Sequence, residues 1–107
     1  MKSRNLVHPI LLAAALLFGQ AALAHGPVFD CYIDHDDWVK CEAGYTDGSS
    51  ATGRKIHVQD TSNKLLLEGT VDKDNSYTFQ APAGPYSVEF LGGDNHGATI
   101  QSSDITQ

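Results

Sequence analysis

From residue 28 onward, the chain is built of short segments in which apolar and polar residues alternate. Residues 54–60 (RKIHVQD) and 86–91 (YSVEFL) show this alternation most clearly. A period of two residues is typical of a β-strand with one buried face and one solvated face. No long segment with the period of a helix follows residue 25. The pattern therefore predicts an all-β fold.

Seven such segments follow one another, separated by residues that favour turns. The predicted strands are residues 28–34, 38–45, 54–60, 65–70, 77–80, 86–91 and 98–105. Short strands with turn residues at regular intervals are typical of a single antiparallel β-sandwich. Five aromatic side chains are predicted to belong to its core: Trp38, Tyr77, Phe79, Tyr86 and Phe90.

The first two dozen residues have the three parts of a signal peptide. Lys2 and Arg4 precede an uncharged apolar run at residues 10–18, and Ala22-Leu23-Ala24 matches the small-residue cleavage pattern. A membrane-spanning helix needs about 20 apolar residues, and this run is shorter. We therefore predict a signal peptide at 1–24, a β-sandwich domain at 25–107, export to the periplasm and no stable membrane insertion.

The mature chain would hold two cysteines, Cys31 and Cys41, on the first two predicted strands. A turn centred on Asp36 places residue i opposite residue 72 − i, so the two cysteines face each other directly. Export and an even cysteine count favour a disulfide. We therefore predict that Cys31 and Cys41 form a disulfide across a β-hairpin.

The charge of the predicted mature chain limits its partners. Residues 25–107 contain five basic and thirteen acidic side chains, which gives a net charge of −8 with neutral histidines. A surface of this sign disfavours nucleic acid and anionic membranes as partners. It allows a cationic ligand.

Cleavage after Ala24 would place two nitrogen donors on one residue, the α-amine and the imidazole of His25. A second histidine, His96, lies in a glycine-rich loop at residues 92–97. If each connection reverses the chain, the N-terminus and this loop lie at the same end of the sandwich. We therefore predict a metal site with His25 and His96 as ligands, and with Asp94 or Asp47 as candidates to complete it.

Nitrogen ligands favour one divalent transition-metal ion, nickel or copper, over calcium or magnesium. Three nitrogens in a plane suit Cu(II) or Ni(II), and copper binds more tightly than nickel in the divalent series. The other two histidines of the mature chain, His35 and His57, are expected to be an exposed turn residue and an exposed strand residue.

Three stretches of the chain resemble a known fold family: residues 54–58, 67–79 and 82–90. They are similar to the transthyretin-like or carboxypeptidase-regulatory-like β-sandwich, an immunoglobulin-like architecture. Within that group, the His25-Gly26 start and the late Asn95-His96-Gly97 resemble the small periplasmic accessory proteins of bacterial nickel and cobalt uptake systems. The chain departs from the group at Asn75, where glycine is usual, and in having the cysteine hairpin.

The resemblance implies a periplasmic protein that binds nickel and delivers it to a membrane metal transporter. Two alternatives remain open: a periplasmic copper chaperone with a similar N-terminal histidine site, and a metal-free protein-interaction sandwich. A copper redox enzyme is disfavoured because a domain this small shows no substrate cleft in its sequence. We expect no enzymatic activity, since neither a Ser-His-Asp pattern nor a catalytic cysteine pattern is present.

Overall fold

A computed structural model describes residues 26–107. The predicted signal peptide, 1–24, and His25 lie outside the described residues. The described chain forms seven strands, β1 to β7, and a final 3₁₀ turn. Their bounds are β1 Pro27–His35, β2 Trp38–Tyr45, β3 Lys55–Asp60, β4 Leu65–Thr70, β5 Ser76–Gln80, β6 Tyr86–Leu91, β7 Ala98–Gln101 and the 3₁₀ turn Ser102–Asp104.

The strands form two antiparallel sheets. One sheet has the order β1-β2-β5, and the other has the order β4-β3-β6-β7. The predicted seven-stranded antiparallel β-sandwich is confirmed. Among residues 26–107, no helix is long and apolar enough to cross a membrane.

The core lies between the two sheets and is filled by alternate residues of their strands. Val39 and Cys41 come from β2, whereas Ile56 and Val58 come from β3, and each is at most 1% exposed. Aromatic contacts join the sheets: the ring centroids of Phe29 and Phe90 are 5.4 Å apart. Because alternate residues face opposite sides of a strand, the apolar positions fix which face is buried.

The hairpin of β1 and β2 confirms the predicted disulfide. Cys31 pairs directly with Cys41 in the strand register, and the two sulfur atoms are bonded. Both cysteines are buried in the core. Asp36 in the turn has a φ of 48°, a left-handed conformation that aspartate tolerates better than most residues.

Two expectations need correction. Trp38 is 38% exposed rather than part of the core, because Val39 and Cys41 face inward and the alternation of β2 turns Trp38 outward. The last strand ends at Gln101 rather than at residue 105. The Ser102 hydroxyl accepts a hydrogen bond from the backbone N–H of Tyr86, where a longer β7 would have placed a backbone carbonyl.

Candidate metal site

The loop that carries His96 is fixed to the end of β2. The Tyr45 hydroxyl donates a hydrogen bond of 2.7 Å to the carbonyl of Gly92. The His96 N–H donates to the carbonyl of Gly93, which closes a tight turn. Asp94 and Asn95 inside that turn both have positive φ. The loop therefore holds His96 in a defined position relative to Tyr45.

The His96 side chain is half-buried against the same tyrosine. The two rings meet edge to face with their centroids 6.1 Å apart. Nδ1 lies 3.1 Å from the carbonyl oxygen of Gly93. Because a carbonyl oxygen can only accept, Nδ1 must donate in this contact, and Nε2 is then the ring nitrogen that could bind a metal. Histidine ligands of metals commonly have this arrangement, with the second nitrogen bonded to a backbone carbonyl.

The first described residue, Gly26, lies at the same end of the sandwich. Its N–H donates to the Thr46 hydroxyl at 2.8 Å, and its carbonyl accepts from the Thr46 N–H at 2.9 Å. Next to it, Pro27 pairs with Tyr45 in the β1–β2 register. Gly26 and His96 thus adjoin two consecutive residues, Thr46 and Tyr45. His25 itself lies outside the described residues.

The two carboxylate candidates differ in their surroundings. Asp94 lines a surface pocket of about 240 Å³ together with His96. Asp47 is engaged within its own turn, where its Oδ1 accepts from the N–H of Ser49 at 2.9 Å and from its hydroxyl at 2.6 Å. Asp94 is therefore the better placed of the two to contribute a ligand beside His96.

The pocket also contains residues that the sequence pattern does not predict as part of the site, notably Tyr45 and Arg54. The Arg54 guanidinium lies directly against Gly93, where a Cβ would come within 2.7 Å of Nη1. The charge of Arg54 disfavours a cation in this pocket, whereas the carboxylate of Asp94, which also lines it, favours one. The hairpin register, which places residue 27 opposite residue 45, was the signal that could have identified Tyr45.

Within residues 26–107, no three or more histidine, cysteine or carboxylate side chains are gathered so that they could hold a metal ion. His96 and Asp94 supply at most two ligands from the described chain. A shell of three or four ligands at this place would need donors from outside that range, or water.

A second, larger pocket of about 370 Å³ shares Tyr45 and Ser49 with the first one. Its wall carries three carboxylates, from Asp30, Glu42 and Asp74. Asp30 and Glu42 lie directly opposite each other on β1 and β2. Like charges in this arrangement repel. The wall of this pocket is therefore negative and favours the approach of cations.

The remaining two described histidines lie elsewhere. His35 is at the β1–β2 turn, where Nδ1 is 3.2 Å from an Asp34 carboxylate oxygen. His57 is in the middle of β3, with Nε2 2.8 Å from Oε2 of Glu68 on β4. Neither residue lines the pocket that contains His96.

No family model, no curated protein and no solved structure matches the chain. The features that bear on function are the position of His96, its hydrogen bonding and the place where the chain enters β1.

Proposed function

We propose that this protein is a periplasmic accessory protein that binds one divalent transition-metal ion and hands it to a membrane metal transporter. The supporting observation is the convergence of Gly26 and His96 on the Tyr45–Thr46 end of β2. If the chain is cleaved after Ala24, His25 precedes Gly26 directly and brings an α-amine and an imidazole to that end.

The proposed ligands are the amine and imidazole of His25 and Nε2 of His96. The contact of Nδ1 with the Gly93 carbonyl supports Nε2 as the ligand atom of His96. Asp94 or water completes the shell. The amine and imidazole of His25 form a chelate ring, which reduces the entropy lost when the second nitrogen binds.

The proposed metal is nickel, with copper as the alternative. The resemblance to nickel and cobalt uptake proteins supports nickel, whereas the order of divalent affinities supports copper. In both cases the metal is cargo, and the acidic wall beside the pocket attracts it electrostatically.

The first prediction concerns metal retention. Native mass spectrometry of protein purified from an exporting host, with its N-terminus sequenced, should show a chain that starts at His25 and retains one nickel or copper ion. His96→Ala should weaken binding by at least about tenfold, because it removes a ligand rather than a supporting group.

Two matched controls test whether the loss of metal binding is specific to His96 or follows from removing any histidine. His57→Ala and His35→Ala should retain the metal. A mature chain that keeps Ala24 before His25 should lose affinity, because its α-amine no longer belongs to the histidine. A chain that starts at His25 but stays metal-free when equimolar nickel or copper is offered would overturn the proposal.

The alternative function is a metal-free protein-interaction domain. The observation that favours it is the exposure of three consecutive leucines, Leu65–Leu67, on β4. Metal-free protein in the experiment above would favour this alternative.

A further inference from the structure

Strand β4 forms an open edge of the four-stranded sheet. It pairs with β3 on one side, and no described strand pairs with its other side. Leu65, Leu66 and Leu67 on this strand are 48%, 38% and 38% exposed. Open edges with apolar side chains favour pairing with another strand.

The alternation of β4 explains why the three leucines cannot all be buried. Leu67 pairs with Val58 of β3, and Leu65 pairs with Gln59, so Leu66 is an extra residue between them. This irregularity is a β-bulge. All three leucines remain partly exposed at this edge.

The sequence around the leucines is complementary to itself. Lys64 precedes them and Glu68 follows them, so the segment reads Lys-Leu-Leu-Leu-Glu. Two copies that run antiparallel with Leu66 opposite Leu66 place Lys64 of each copy opposite Glu68 of the other. The same register places Leu65 opposite Leu67. Lys64 and Glu68 are both exposed. One carboxylate oxygen of Glu68 contacts Nε2 of His57 within the chain, and its other oxygen is the acceptor proposed for the lysine of a second copy.

Neighbouring registers lose this match. The neighbouring twofold registers place Leu65 opposite Leu65 or Leu67 opposite Leu67. The first puts Lys64 opposite Leu66, and the second puts Glu68 opposite Leu66. Cross-strand pairs of opposite charges, or of two apolar side chains, stabilise antiparallel strands. A charge opposite a leucine forms neither kind of pair. The twofold arrangement is the symmetry expected for a homodimer.

We propose that the chain forms a symmetric homodimer in which β4 pairs with β4 of a second copy. The two four-stranded sheets then form one continuous eight-stranded sheet. The Lys64–Glu68 pairs fix the register, and the leucines supply the apolar contact. The dimer interface does not include the pocket that contains His96, so this proposal is independent of metal binding.

Charge exchange tests the proposal by sedimentation velocity at concentrations up to about 200 µM, where weak interfaces are populated. The unmodified mature chain should sediment as a dimer. Lys64→Glu and Glu68→Lys should each raise the dissociation constant about tenfold or more, because both pairs become like-charged. An equimolar mixture of the two variants should restore the dimer, since every pair then has opposite charges.

The control for this experiment is Lys73→Glu, which makes the same charge change in the exposed turn after β4, outside the 64–68 segment that pairs. This variant should dimerise like the unmodified chain. Circular dichroism should show that all variants remain folded. A monomeric unmodified chain, or a mixture that does not restore the dimer, would overturn the proposal.

Cysteine cross-linking tests the register separately. Leu66→Cys should form an interchain disulfide under mild oxidation, because residue 66 of each copy faces residue 66 of the other at a distance that a disulfide can bridge. Leu65→Cys should form it much less, because it faces Leu67. Equal cross-linking of the two variants would contradict the pairing that we propose.

Discussion

At the scale of single residues, Asn75 shows how one side chain can hold several segments together. Its φ is 60°, in the left-handed region that asparagine tolerates. Its Oδ1 accepts hydrogen bonds from the Ser50 hydroxyl at 2.8 Å and from the Ala51 N–H at 3.0 Å. Its carbonyl accepts from the Ala43 N–H. A glycine here would allow the turn but would not supply the side-chain bonds.

This geometry predicts that Asn75→Ala is more destabilising than Asn63→Ala. Asn63 has a similar φ of 63°, so alanine meets the same backbone strain at both positions. Only Asn75 also loses side-chain hydrogen bonds to the 50–51 loop. We expect Asn75→Ala to lower the free energy of unfolding by about 1–2 kcal/mol more than Asn63→Ala. Urea denaturation measures the difference, and equal losses would contradict the role assigned to the side chain.

At the scale of elements, the β1–β2 hairpin combines three constraints. The turn pairs His35 with Trp38, a β-bulge between Ile33 and His35 then shifts the register by one residue, and the disulfide joins the residues that become opposite, 31 and 41. Beyond the cysteines, β2 continues to Tyr45, which holds the His96 loop. The hairpin therefore connects the covalent crosslink to the candidate site through one continuous strand.

Replacing both cysteines by alanine should destabilise the fold without moving the hairpin. The crosslink spans a sequence separation of 10 residues, and loop-entropy models assign such a closure roughly 2–3 kcal/mol. The loss of two buried sulfur atoms adds to this cost. We expect a lower midpoint of thermal unfolding in the double variant, and a similar shift when the unmodified protein is reduced. An unchanged midpoint in both would show that the disulfide does not stabilise the domain.

At the scale of the whole molecule, two tyrosines that pack on Phe79 link the packing of the sheets to pH. Tyr86 is 8% exposed and meets Phe79 edge to face, while Tyr77 is half-buried and stacks on the Phe79 ring. Burial raises the pKa of Tyr77 and of Tyr86 above its ordinary value, because the apolar surroundings disfavour the phenolate.

Raised values of the pKa in the folded state determine the sign of the pH dependence. The neutral phenols contribute their full stability below pH of about 10, the value in the unfolded chain, and that stability is lost as the pH rises through the folded values. The free energy of unfolding should therefore fall above pH of about 10. The variant with both Tyr77→Phe and Tyr86→Phe should lose part of this decline in denaturant titrations. An identical decline in the variant would show that other groups cause it.

The sequence by itself determined most of the strands, the disulfide and the two faces of each strand. These features depend on residues that are close in the sequence, because alternation and turn residues determine structure over only a few positions. Strands β2, β4 and β6 have the bounds that the alternation predicted. The alternation of β2 also indicates that Trp38 faces outward, because its neighbours Val39 and Cys41 face the core.

Only the tertiary structure decided which residues surround His96 and which strand lies at an edge. Arg54 reaches Gly93 because β3 and β6 are neighbours, although 39 positions separate the two residues in the sequence. Likewise, β4 leaves its leucines exposed because the sheet ends there. The packing of all seven strands together sets the strand order. Local sequence patterns do not predict this order, because each strand could pair with several others at a similar free energy.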